Sequence, residues 1–239
     1  MGKNKERIQI IDALRGLSVV LMVIHHLLYN LVYFLGAPKW LFTNPVFDVL
    51  HYIFAGLFIF LSGLSSRFSR SNIKRGLIVI AISAGISAVT YFMQMPIWFG
   101  VLHLLGFSML FFGLTRKLWD LLPRKAAGPL FTLLIVAGPI ALANLRPQTE
   151  HIWAQALLWA SGWRQPGFIS YDYFPLLPWL FVFLFGTWAG LYTAERKLPA
   201  WFYDLSAPIL PAIGRKALII YILHQPILYA LVIGIQQII

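Results

Sequence analysis

Seven stretches of this chain, roughly 8–34, 46–66, 73–93, 98–115, 128–144, 173–192 and 213–236, stay apolar over the length a bilayer demands. In hydrocarbon no water reaches a backbone N–H or C=O, so such runs fold as helices that close their own hydrogen bonds. The chain is predicted to be an all-α membrane protein, a bundle of about seven transmembrane helices in a single domain over 1–239. With 59% hydrophobic and 11% charged residues, the composition fits that class. The sequence has no repeat of fixed period and no low-complexity tract. The first span is too long for a signal-peptide core and lacks a small-residue cleavage site, so it reads as retained.

Charge sets the orientation. With the N-terminus inside, sixteen of the nineteen basic residues lie on the inner side, among them Lys3, Lys5, Arg7, Arg15, Arg67, Arg70, Lys74 and Arg75, while Lys39, Arg146 and Arg164 face out. That asymmetry predicts a cytoplasmic N-terminus and an outer C-terminus. It also accounts for the net charge of +11 without nucleic acid, since the basic residues flank apolar spans. The chain has no cysteine, which removes disulfides, thiolate nucleophiles and cysteine metal sites together.

The first span, RIQIIDALRGLSVVLMVIHHLLYNLVYF, carries Asp12, Arg15, His25 and His26. Titratable groups are costly in a membrane and mark function by default. At about 100° and 1.5 Å per residue, Arg15 and His26 share a face to within roughly 20° and stand about 16 Å apart along the axis. Met22 lies on that face, and His25 points about 80° away. A cation at the water edge and an imidazole near the midplane suit a long anionic ligand with a neutral arm, the shape of a coenzyme A thioester. Asp12 and Arg15, three apart, also suit an intrahelical ion pair, and the two roles are compatible.

Further histidines fall at comparable depth: His51 at the start of the second span, His103 in the fourth and His224 in the seventh, so four helices could bring imidazoles together. No His-x-x-x-His spacing is present, which disfavours a metal site; one imidazole acting as a general base asks less of the sequence. Tyr221, His224 and Gln225 precede Pro226, which loosens the helix there. Gly100, His103 and Gly106 recur at intervals of three, a pattern of close helix packing. Asp172 is placed to cap the sixth span, whose first turns contain Pro175 and Pro178. Between the fifth and sixth spans, 152–160 is apolar and aromatic but too short to cross; it reads as an interfacial anchor, or as a lid over an outer site.

Asp12-x-x-Arg15-Gly16 with Met22-Val23 and His26, then Leu61-Ser62-Gly63, Phe99-Gly100-Val101-Leu102-His103, Phe174-Pro175-Leu176-Leu177-Pro178-Trp179, and Gly214-Arg215 with Tyr221-x-x-His224-Gln225-Pro226, together resemble the bacterial relatives of heparan-α-glucosaminide N-acetyltransferase. The first helix is also similar to the wider transmembrane acyltransferases that modify surface polysaccharides. The resemblance implies a multi-pass transmembrane acyltransferase of the bacterial inner membrane, working alone or as a homodimer. Its donor would be cytosolic acyl-CoA, most simply acetyl-CoA, and its acceptor a sugar amine or hydroxyl on the far side. For that chemistry the residues offer a catalytic set of His26, His103, His224 and Asp12, with Arg15 and some of Arg75, Arg116, Lys117, Arg215 and Lys216 for the nucleotide phosphates, and no metal is expected. Where the lysosomal members carry a histidine in the outer loop after the first helix, this chain has Gly36, which passes the base role to His26 or His51. Direct transfer and an acyl-imidazole intermediate both remain open. A histidine-relay transporter and a membrane scaffold are the alternatives from other classes.

Overall fold

The computed structural model describes residues 8–145, 147, 149–164, 166–205 and 207–238; Lys3, Lys5, Arg7 and Arg146, counted above in the charge asymmetry, lie outside them. The described residues form α1 (Gln9–Phe34), α2 (Pro45–Ser66), α3 (Asn72–Phe92), α4 (Val101–Asp120), α5 (Arg124–Asn144), α6 (Ile152–Ser161), α7 (Leu176–Ala194), α8 (Trp201–Asp204), α9 (Leu210–Arg215) and α10 (Ala217–Gln236), with a 3₁₀ turn at Lys39–Leu41. Seven of these, α1 to α5, α7 and α10, are long and apolar enough to cross a membrane. The described residues are all-α, as expected, with seven helices able to span.

Boundaries moved where local chemistry opposes the apolar pattern. The fourth span begins at Val101 and not at 98, because Phe99 takes a positive φ of 57° and Gly100 is extended. The fifth begins at Arg124, immediately after Pro123, earlier than apolarity alone suggests. The seventh is interrupted: α9 ends at Arg215, Lys216 leaves helical geometry at φ −102° and ψ 12°, and α10 restarts at Ala217.

The chain divides into two compact units, 1–61 with 198–239, and 62–197. In the first, α1 packs on α9 and α10. The α1–α9 crossing is close enough to exclude side chains: a Cβ on Gly16 would meet the Leu210 carbonyl, and one on Gly214 would meet Asp12 O. The Asp12-x-x-Arg15-Gly16 and Gly214-Arg215 motifs, about 200 residues apart in the chain, are thereby laid against each other.

In the second unit α3 packs on α4 and α5 on α7. Gly76 and Gly106 form the α3–α4 seam, where a Cβ on Gly76 would stand 2.8 Å from Gly106 O. Arg67 follows α2, donates to Thr187 O at 2.8 Å, pairs with Asp120 and lies 5.0 Å over the Phe112 ring. Burial pushes its guanidinium below the ordinary value, while Asp120 acts in the opposite sense. The short α6 has ten residues, about 15 Å, and no buried side chain. It is tied down by Tyr173 Oη donating to Trp159 O at 2.6 Å.

Candidate active site

In the first unit the histidines gather in a row. The His26 and His224 ring centroids are 4.8 Å apart at 68°, His25 lies 5.6 Å from His26, and His51 stacks on His25 at 4.4 Å and 26°. His51 and His224, offered by the sequence as partners of His26, thus belong to one cluster built from α1, α2 and α10. His25, set aside because it points away from the Arg15 face, is the link between His51 and His26. Its other flank is covered by Phe42 at 4.9 Å.

Hydrogen bonds fix which nitrogen of the His26 and His224 rings bears the hydrogen. His26 Nδ1 lies 2.9 Å from Met22 O, and His224 Nδ1 lies 2.7 Å from Tyr221 O. A carbonyl oxygen only accepts, so in both neutral rings Nδ1 carries the hydrogen and Nε2 keeps its lone pair. This is the tautomer a general base requires. His224 is 9% exposed, and its Nε2 has no hydrogen-bond partner among the described residues. One turn further along α1, Asn30 is fully buried and its Nδ2 donates to Gln225 Oε1 at 3.4 Å. Two polar rungs, His26–His224 and Asn30–Gln225, therefore join α1 to α10.

Arg15 Nη1 pairs with Asp12 Oδ1 at 2.7 Å, the intrahelical bridge that their spacing suggested. Asp12 is buried, and the Arg15 side chain is 16% exposed, with access to water at one edge. Arg215 and Lys216 are exposed and follow Gly214, which sits on the Asp12–Gly16 turn. Three cations therefore flank one crossing of main chains.

His103 belongs to the second unit. Its Nδ1 accepts from Gly100 N at 3.2 Å, which places the ring hydrogen on Nε2, and Nε2 donates to Ser87 Oγ at 3.1 Å. Ser87 Oγ in turn donates to Ile97 O at 2.5 Å. Both nitrogens of His103 are engaged, the bonding of a residue that braces the α3–α4 connection. Asp172 does not cap its own helix as its position suggested. Its Oδ2 accepts from Val101 N at 3.2 Å, the first amide of α4, and α7 starts from Pro175 with no side-chain cap. A groove of about 630 Å³ runs here past Ser87, Tyr91, Trp98, His103, Trp159 and Phe168, so α6 supplies part of its wall. Arg75, Arg116 and Lys117 are exposed in this unit, and Arg116 Nε reaches Asp120 Oδ2 at 3.6 Å.

The profile of the family described as heparan-alpha-glucosaminide N-acetyltransferase, catalytic, matches residues 7–226. The chain belongs to that family. Comparison with curated proteins and with solved structures returned no match. The matched region runs from the start of α1 to Pro226 and so takes in both rungs and the α1–α9 crossing. Membership makes the chain a multi-pass member of an acetyltransferase family. Sequence reasoning missed Asn30. The signal was available, since an amide in an apolar helix four residues after His26 shares its face.

Proposed function

We propose that the chain transfers an acetyl group from cytosolic acetyl-CoA, its donor substrate, to a sugar amine or hydroxyl presented from the opposite side of the membrane. Arg15, Arg215 and Lys216 meet the nucleotide phosphates, for which the guanidinium fork is suited. Asp12 holds Arg15 in place. The thioester arm lies along the α1 face, with its carbonyl carbon beside His26. As the acceptor attacks, its N–H or O–H proton passes to His26 Nε2, the new C–N or C–O bond forms, the C–S bond breaks, and the proton ends on the departing thiolate. His224 lies next to His26 and shares the charge of that imidazolium. His103 keeps the α3–α4 connection in shape.

The observation that carries this reading is the His26–His224 pair at 4.8 Å, one ring half-buried and one buried, whose Nδ1 hydrogens are spent on backbone and whose Nε2 lone pairs are left over. General base catalysis contributes about 10²- to 10⁴-fold. His26→Ala should lower transfer of labelled acetyl groups in proteoliposomes by that factor while CoA still raises the melting temperature of the variant. Full turnover in His26→Ala removes the base. No melting shift of the wild-type protein at millimolar CoA removes the donor and moves the weight to a transporter.

A further inference from the structure

The buried Asn30 amide is only half explained by packing. Its Nδ2 binds Gln225 across α1 and α10, as polar residues in membrane helices commonly do. Its Oδ1 is buried with no hydrogen-bond partner among the described residues, in a side chain 0% exposed. A buried acceptor left unmade is expensive, and native structures keep few of them without a reason.

The two neighbouring rings do not supply the missing donor. His26 and His224 have both committed their Nδ1 hydrogens to backbone carbonyls and offer only Nε2 lone pairs. His224 Nε2 is itself buried without a partner among the described residues. The two rungs thus present three acceptors, namely His26 Nε2, His224 Nε2 and Asn30 Oδ1, against one uncommitted N–H, the second hydrogen of Asn30 Nδ2. A ligand that meets those three atoms must bring donors.

We infer that Asn30 is a substrate-contacting, specificity-determining residue that selects an amine over a hydroxyl. This rests on the acyl-transfer reading above. Side chains four apart on a helix stand about 5–6 Å apart at Cβ, a span that one nitrogen bridges with two hydrogen bonds of about 2.9 Å. A neutral primary amine gives one N–H to His26 Nε2, the proton lost in the reaction, and its second N–H to Asn30 Oδ1. That second bond holds the nitrogen lone pair towards the thioester carbon and survives C–N bond formation. A hydroxyl has one O–H and spends it on the base, so Asn30 Oδ1 stays unpaired. A site built to bond a second N–H discriminates against an analogue that lacks it.

The test compares glucosamine and glucose as acceptors with labelled acetyl-CoA in proteoliposomes of wild type, Asn30→Leu and Asn30→Asp. Leucine keeps asparagine's branching at Cγ, at a larger volume and without the acceptor, and an apolar side chain is welcome in a membrane helix. Asn30→Leu is expected to lower kcat/KM for glucosamine by about tenfold to a hundredfold while the slower reaction with glucose changes by less than about twofold. Asn30→Asp keeps an acceptor oxygen, with the Gln225 amide turned over to donate to it, and restores the preference. CoA should stabilise all three proteins equally. If Asn30→Leu is not recovered folded, Asn30→Ala replaces it and the same ratio is read. An unchanged amine-to-hydroxyl ratio, or equal loss with both acceptors, overturns the role of Asn30 and leaves acyl transfer standing. Absence of transfer to either acceptor in the wild type overturns both.

Discussion

Gly214 can be replaced by alanine as a test of whether the α1–α9 crossing sets the nucleotide grip. The added Cβ would meet Asp12 O, Asp12 C at 2.8 Å and Gly16 N at 2.9 Å. All three are main-chain atoms, so no rotamer change relieves the overlap. Ordinary carbon contacts begin near 3.5 Å, so α9 must retreat from α1 by roughly 1 Å. Overpacking of this kind costs about 1–3 kcal/mol, a factor of about 5 to 150 in the folding equilibrium. Gly16→Ala strikes the same crossing from the other helix, against Leu210 O, with Leu210 C at 3.0 Å and Gly214 N at 3.1 Å. Once α9 has moved for one methyl group, much of the room for the other exists, so the double variant should cost less than the sum of the singles. Gly234 in α10 is the control: no atom lies within 4 Å of its Cβ position, and alanine there should be neutral or stabilising by up to about 1 kcal/mol. Denaturant unfolding in micelles gives the stabilities, and calorimetric titration with CoA gives the affinities. Because Arg15 and Arg215 flank the crossing, Gly214→Ala should also weaken CoA by about tenfold or more. Stability and CoA affinity equal to those of Gly234→Ala would refute the reasoning.

Two further outcomes concern the second unit. The Glu195 carboxylate, held by Arg124 at 2.6 Å and Lys197 at 2.7 Å, is pushed down to about 2, with the Arg124 hydrogen bond as the largest cause. A depressed folded-state value contributes stability that is present above the ordinary carboxylate value and lost as pH falls from about 4.5 towards about 2. Melting curves of wild type and Glu195→Gln should converge across that window, and a gap independent of pH would count against the pairing. Asp172→Ala removes the acceptor for Val101 N–H and should cost about 0.5–2 kcal/mol, seen as faster hydrogen exchange confined to the first turn of α4; unchanged exchange there would show that the cap is idle.

The spans were legible because bilayer thickness imposes a length on apolar runs, and the family was legible because its short motifs fall in order along them. Partners were not. Asp172 was read as a local cap, since a single sequence shows the turn that follows a residue and not an amide 71 positions earlier. The break at Lys216 falls within Gly214-Arg215-Lys216, where periodicity does not show that Gly214 packs against the Asp12–Gly16 turn. His25 was discounted for lying about 80° from the Arg15 stripe, yet that direction is where His51 and Phe42 pack. Periodicity says which residues share a face, and says nothing about what meets the next face.

Depth alone likewise fails to separate a histidine bonded through both nitrogens from one that keeps a lone pair. His103 and His224 looked alike in sequence, each a lone imidazole within an apolar helix. The difference lies in their unused lone pairs. His103 has one nitrogen accepting from Gly100 and the other donating to Ser87, so nothing on the ring remains for a substrate without breaking the α3–α4 connection. His224 and Asn30 each spend one polar atom on the protein and keep another buried and unmet. In a low-dielectric interior an unmet polar atom is a standing cost, and the amine-to-hydroxyl ratio of Asn30→Leu tests whether a substrate N–H meets the one on Asn30.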